Sequence, residues 1–148
     1  MTSYLRQVEP LRLAVNRLLE GADPILSAHH RGSLTPARAS QRMGALERSF
    51  AAYSVQVAAI QPATSQLRSL HAIYAHTYVF EDSYLSALTI GLAEGDLDEL
   101  PDTQSEQRAA IVQWRIGLEV LAKRAHLALP ANLQAAGRGE IRPSPDGS

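Results

Sequence analysis

The chain has 148 residues, 45% of them hydrophobic and 20% charged, which is the composition of a folded protein of about one domain. Fourteen Lys and Arg side chains nearly balance 15 Asp and Glu side chains, so a net charge of -1 provides no field to attract nucleic acid, and we expect no nucleic-acid partner. The absence of cysteine excludes disulfide frameworks, thiolate metal sites and cysteine nucleophiles.

The first helix is predicted over residues 3–29. Its apolar residues recur at alternating spacings of four and three, which is typical of a helix that buries one stripe. Pro10 either kinks the first turns or starts the regular helix, and Asp23-Pro24 has the form of a helix start, so the segment is either one helix or two. The stripe comprises Tyr4, Val8, Leu11, Val15, Leu18, Ala22 and Ile25.

The second and third helices are predicted over residues 36–60 and 64–94, with Thr35-Pro36 and Thr64 as start signals. Pro62 either kinks one long helix or separates two. We predict separation, because helices of similar length can cover one another's apolar faces. The two stripes comprise Met43, Leu46, Phe50, Tyr53, Val57 and Ile60, and then Leu67, His71, Tyr74, Tyr78, Glu81, Leu85, Leu88 and Leu92.

The fourth helix is predicted over residues 104–128. Thr103 and Glu106 have the spacing of a capping box, and Pro130 ends the pattern, with one more turn expected within residues 130–136. The predicted fold is therefore all-α, an antiparallel up-down-up-down four-helix bundle formed by residues 1–136. Residues 137–148 are rich in glycine and proline and are predicted to form a flexible C-terminal tail. The fourth stripe comprises Gln107, Ile111, Trp114, Leu118, Leu121, Ala125 and Ala128.

The third helix carries an unusual polar layer, because His71, Tyr74, Tyr78 and Glu81 occupy consecutive positions of its buried stripe. One interpretation is a structural network in which Glu81 pairs with Arg115 or Arg48. The other is a ligand pocket between the helices. The candidate ligand-binding residues are His71, Tyr74, His76, Tyr78, Glu81, Asp82, Trp114, Arg115 and Asn16.

Metal motifs are missing from the sequence. No histidine follows a glutamate by three residues or another histidine by four, so we predict no metal site. A haem held by His71 or His76 alone stays open, and the sequence leaves the cofactor unknown. Glycine-rich phosphate loops and the Gly-x-Ser-x-Gly pattern are also absent.

Two functional hypotheses remain. The preferred one is a non-enzymatic binding or interaction module for a protein partner or a small-molecule ligand, with a homodimer as one expected assembly. The alternative is a ligand- or cofactor-dependent enzyme in which His71 or His76 acts as general base and Glu81 or Asp82 orients it. We expect no membrane span, and the compartment is unassigned: cytoplasmic by default, extracytoplasmic if a leader has been removed.

Overall fold

A computed structural model describes residues 1–137 and residue 143 of the chain. Within these residues the protein is all-helical and has no strand, which confirms the all-α part of the predicted fold. Among the described residues, no helix combines the length and the apolar character that crossing a membrane requires. The helices are α1 (Thr2–Glu20), α2 (Ala22–His30), α3 (Pro36–Ala58), α4 (Ser65–Glu94), α5 (Gln104–Arg124) and the short α6 (Ala131–Gln134).

The first predicted helix is two helices that meet at Gly21. Pro24 has no backbone N–H to donate to the carbonyl of Glu20, four residues earlier, so the regular helix cannot continue through this point. Pro24 instead lies in the first turn of α2, where a missing N–H costs little. Pro10 lies inside α1, which begins at Thr2 and continues past it.

The predicted separation at Pro62 is confirmed, because α3 ends at Ala58 and Pro62 lies in the connection to α4. Thr64 caps α4 as expected, with its Oγ1 accepting the backbone N–H of Leu67 at 3.2 Å. The same geometry starts α3 at Thr35. These caps satisfy N–H groups that have no partner within the helix.

The predicted capping box at Thr103 is wrong. The Thr103 side chain makes no bond to the first turn of α5, and its hydroxyl instead donates to the carbonyl of Phe80 at 3.5 Å. The end of α5 also differs, because the helix stops at Arg124 rather than at residue 128. The helix ends early because His126 adopts the left-handed backbone conformation and turns the chain before Pro130.

Three helices end in the same motif, in which the residue after the last turn has positive φ. Gly32 ends α2, Gly95 ends α4 and His126 ends α5, with φ values of 74°, 73° and 56°. Glycine adopts this conformation freely, whereas a side chain at Cβ makes it unfavourable. In each motif the next N–H donates to a carbonyl five residues earlier: Ser33 to Ala28, Asp96 to Gly91 and Leu127 to Ala122.

We expect His126→Gly to raise the free energy of unfolding by about 0.5 to 1 kcal/mol, because glycine removes the backbone strain at an exposed position. The matched control is Gly32→Ala, where an added Cβ meets no atom within 4 Å and only the backbone conformation changes. It should lower stability by about 1 kcal/mol. Urea titration of both variants measures the effects, and a loss of stability in His126→Gly contradicts this account.

The packing of the helices leaves space between α1 and α5. All eight predicted stripe residues of α4 are buried, and α4 packs along both α3 and α5. The backbone of α1 packs against α2 and α3, and within the described part of the chain it makes no comparable approach to α5. The stripe of α1 also differs from the prediction, since Arg12 and Leu19 are buried while Leu11 and Leu18 are half-buried.

The predicted flexible tail, residues 137–148, lies mostly outside the described residues. Gly137 is the last residue of the turn, residues 135–137, that follows α6. The carbonyl of Pro143 accepts a hydrogen bond from Nε2 of Gln104 at 2.7 Å, beside the start of α5. The flexibility of the tail stays a prediction.

Candidate functional site

A cavity of about 330 Å³ lies between α1, α4 and α5, under α6 and the turn that follows it. This volume is at the lower end of the range of small-molecule pockets. The wall combines apolar, aromatic and polar side chains. The lining residues are Arg12, Val15, Asn16, Leu19, Glu20, Phe50, Tyr74, Thr77, Tyr78, Glu81, Gln107, Ile111, Asn132, Ala135, Ala136 and Gly137.

Two tyrosines of α4 form one wall of the cavity. Tyr74 and Tyr78 are one turn apart, and their hydroxyl oxygens are 2.7 Å apart in a hydrogen bond. Trp114 stacks on Tyr74 with ring centroids 4.1 Å apart, and Phe50 stacks on Tyr78 at 5.3 Å. Burial raises the pKa of Tyr78 to about 12, so its hydroxyl is neutral at physiological pH. The pair therefore offers a fixed, uncharged polar surface.

Glu81 is the unusual group in this cavity. Its side chain is buried, with 1% of the residue exposed, and neither carboxyl oxygen has a hydrogen-bond partner within the described residues. Burial, together with the negative charge of Asp82, raises its pKa to about 8 although the nearby Gln107 amide favours the charged form. Burial is the largest of the three effects on this pKa, the Gln107 amide is the second and the Asp82 charge is the smallest. At pH 7 Glu81 is mainly a neutral carboxylic acid.

The predicted ion pair of Glu81 with Arg115 or Arg48 is wrong. The Arg115 guanidinium donates to the carbonyl of Gln134 at 3.0 Å and lies 3.9 Å from Glu119. It therefore holds the segment after Pro130 rather than the polar layer. The interpretation of Glu81 as one half of a closed ionic network has no support within the described residues.

A third buried oxygen that has no hydrogen-bond partner among the described residues lies beside the two of Glu81. Oε1 of Gln107 on α5 is buried without a hydrogen-bond partner, so two neighbouring side chains of the cavity hold three unpaired acceptor atoms. Buried polar atoms in folded proteins are nearly always hydrogen-bonded, because an unpaired one costs about 1 to 3 kcal/mol. Three such atoms in one cavity indicate that this region is not optimised for stability alone.

Arg12 is the cationic side chain of the cavity lining, and an ion pair with Glu9 already balances its charge. Arg12 on α1 makes two bonds to Glu9, Nε–Oε1 at 2.8 Å and Nη2–Oε2 at 3.4 Å. Nδ2 of Asn132 on α6 donates to the same Glu9 carboxylate at 3.0 Å. This three-residue cluster ties α6 to α1 and so covers one side of the cavity.

His71 does not line the cavity, and both its ring nitrogens are occupied. Trp114 Nε1–H donates to the Tyr4 hydroxyl at 3.0 Å, which leaves the Tyr4 proton to bond Nδ1 of His71 at 2.8 Å. Nε2–H of His71 then donates to the carbonyl of Val57 at 2.8 Å. Burial lowers the pKa of His71 and favours this neutral tautomer. The predicted general base is thus part of a structural chain of hydrogen bonds.

His76 and Asp82 lie outside the cavity. His76 is exposed, with its ring edge against Phe80 at a centroid distance of 4.7 Å. Asp82 faces Glu47 on α3, and their hydrogen bond raises the pKa of Glu47 to about 7, with burial and the Asp82 charge adding to the effect. Neither arrangement joins a histidine to the Glu81 carboxyl.

The nine predicted residues therefore separate into two groups. Tyr74, Tyr78, Glu81 and Asn16 line the cavity, with Asn16 exposed at its edge. The other five are absent from its lining, although Trp114 supports it from behind by stacking on Tyr74. Their role in ligand binding stays a prediction.

Among the lining residues that the sequence reasoning missed are Gln107, Arg12 and Asn132, and it also missed Glu9, which bonds Arg12 and Asn132. Gln107 stands at a buried stripe position of α5, where an amide is as unusual as a carboxyl, and this signal was available. Glu9 and Arg12 have the i, i+3 spacing of a helical ion pair, but that spacing is common on exposed faces. Asn132 lies in a helix of four residues, which is too short to produce a periodic pattern.

The described residues contain no group of three or more His, Asp or Glu side chains arranged to hold a metal ion. Comparison with known proteins finds no matching family model, no matching curated protein and no matching solved structure.

Proposed function

We propose that the protein is a non-enzymatic binding module that encloses a small organic molecule in the cavity between α1, α4 and α5. The observation that carries this proposal is the Glu81 carboxyl, which is buried in the cavity wall with no partner for either oxygen. A carboxyl in that position destabilises the folded protein, and an apolar or amide side chain of similar size would avoid the cost. Its presence is consistent with recognition of a ligand.

The surroundings of Glu81 support the same proposal. A ligand pocket typically combines apolar walls with a few fixed polar groups, and here Val15, Phe50 and Ile111 supply apolar surface. The hydroxyls of Tyr74 and Tyr78 are held in place by ring stacking. Because these groups are already ordered, binding requires little rearrangement of the wall.

The proposed architecture is an up-down-up-down four-helix bundle in which α1 and α2 together form the first member. The packing of α4 between α3 and α5 supports this arrangement. Homodimer formation stays a prediction, and the native mass of the purified protein tests it. The same spectrum reports any retained small molecule as added mass.

We expect a neutral aromatic probe, benzyl alcohol, to shift the backbone amide signals of the cavity residues in ¹H–¹⁵N spectra. Asn16→Trp places a large side chain at the cavity edge, and we expect it to weaken binding of the probe by about tenfold or more. Arg17→Trp is the control, because Arg17 is exposed on the same helix and is not part of the lining.

Two results contradict the proposal. One is the absence of any shift around Tyr74, Tyr78 and Glu81 at saturating probe. The other is equal binding by Asn16→Trp and Arg17→Trp, since a probe bound outside the cavity is insensitive to both substitutions.

A further inference from the structure

The charged groups of the cavity determine which ligand chemistry it can accept. Arg12, Glu20 and Glu81 are the side chains with formal charge in its lining. Arg12 is balanced by its ion pair with Glu9. Glu20 is exposed at the edge, and Glu81 is buried deeper in the wall. Of these three groups, the two that have no cationic partner within the described residues are therefore both carboxyl groups.

The unpaired polar atoms are also of one kind. Both oxygens of Glu81 and Oε1 of Gln107 are acceptors. If Glu81 carries a proton, that single proton can satisfy one neighbouring acceptor and leaves the others unpaired. A ligand that completes this set must bring several hydrogen-bond donors, and positive charge strengthens each of these bonds.

We propose, on the basis of the proposed function, that the ligand is a small organic amine bound as its ammonium ion. The ammonium group donates to the ionised Glu81 carboxylate, which releases its proton to solvent when the amine binds, and to Oε1 of Gln107. The apolar part of the amine lies against Val15, Phe50 and Ile111. An ammonium ion has three donors and a compact charge, which matches three clustered acceptors. The hydroxyl oxygens of Tyr74 and Tyr78 border the same space and add acceptor capacity.

Anionic and neutral ligands fit these groups less well. A carboxylate or phosphate ligand needs a free cation, and Arg12 already bonds Glu9 through Nε and Nη2. A neutral alcohol brings one donor for three unpaired acceptors. Charge and the number of hydrogen-bond donors therefore separate the three classes of ligand, and a series of probes that carry different charges on one aromatic ring tests the inference.

The test is a titration of the full chain at pH 7 with benzylamine, benzyl alcohol and benzoate, which share one ring and differ in charge. We expect benzylamine to bind about tenfold or more tightly than benzyl alcohol, and benzoate to bind weakest. In Glu81→Gln the advantage of benzylamine over benzyl alcohol should disappear. Asp82→Asn is the matched control, because Asp82 is the next residue of the same helix but lies outside the cavity lining; it should retain the preference.

Each outcome decides between the two proposals. If benzyl alcohol binds in the cavity as tightly as benzylamine, the amine inference is overturned and the proposed function stands. If benzoate binds most tightly, Arg12 rather than Glu81 sets the ligand class and the inference is also overturned. If no probe perturbs the cavity residues, the proposed function itself fails. The series on the unmodified chain gives these answers even where Glu81→Gln does not fold.

Discussion

The free energy of unfolding is expected to fall by several kcal/mol between pH 5 and pH 9, mainly through Glu81. Burial raises the pKa of this carboxyl from 4.5 to about 8 in the folded protein. Between those two values the unfolded chain loses the proton and the folded chain keeps it, so rising pH favours unfolding. At about 1.4 kcal/mol per pH unit, the upper limit of the loss is about 5 kcal/mol.

Glu81→Gln isolates this contribution. Glutamine resembles the neutral carboxyl in size and cannot ionise, so the variant should match the unmodified protein near pH 5 and exceed it by several kcal/mol at pH 9. The two proteins must be compared at each pH, because His71 also changes the pH dependence. Burial lowers the pKa of His71, so its contribution to the free energy of unfolding increases as pH rises towards 6.5, opposite in sign to that of Glu81.

Urea titrations of both proteins at several pH values measure the difference. Glu47→Gln serves as a second comparison, since the pKa of Glu47 is also raised, to about 7, by its hydrogen bond with Asp82. Glu47 is much more accessible to water, so its substitution should change the pH profile far less. Parallel profiles for the unmodified chain and Glu81→Gln would show that the carboxyl is not buried as described.

The face that α4 buries could be predicted from the sequence, whereas the partners of that face could not. The spacing of four and three residues identifies one stripe of a helix because it depends only on local geometry. All eight residues of that stripe are buried, including the polar layer from His71 to Glu81. How far neighbouring helices are shifted along their axes could not be predicted in this way. This axial offset depends on where each helix starts and stops.

The offset explains the specific errors. The main error concerns Glu81, for which an arginine partner was expected, whereas Trp114 does lie beside the polar layer, against Tyr74. In the structure Gln107 lies next to Glu81, and Trp114 lies next to Tyr74 and Tyr4. The axial offset depends on the exact ends of the helices, which sequence alone does not determine. In the structure α1 ends at Glu20 and α5 ends at Arg124.

The contribution of α6 to the cavity was also beyond sequence reasoning. Its four residues were expected only as one further turn, and nothing in their spacing indicates what they cover. Tertiary bonds hold them in place, from Asn132 to Glu9 and from Arg115 to the Gln134 carbonyl. The cavity is therefore a property of the packed chain and not of any one helix.

We expect Tyr4→Phe to lower the free energy of unfolding by about 2 to 5 kcal/mol. The substitution keeps the buried ring but removes the hydroxyl that accepts from Trp114 and donates to His71. Both partners are buried, and each polar atom left unpaired costs about 1 to 3 kcal/mol. The effect should exceed that of an ordinary Tyr-to-Phe change because one hydroxyl serves two buried groups.

Tyr53→Phe on α3 is the matched control. Tyr53 is half-buried, and its hydroxyl makes no hydrogen bond within the part of the chain that is described, so the change in stability should be about 0.5 kcal/mol or less. Denaturant titration of the two variants at pH 7 gives the comparison. Equal, small effects would mean that the bonds from Tyr4 to Trp114 and His71 do not form. A large loss of stability in Tyr4→Phe alone would indicate that Tyr74 is held rigidly from behind. Trp114 provides this contact, because it donates a hydrogen bond to Tyr4 and stacks on Tyr74 in the cavity wall.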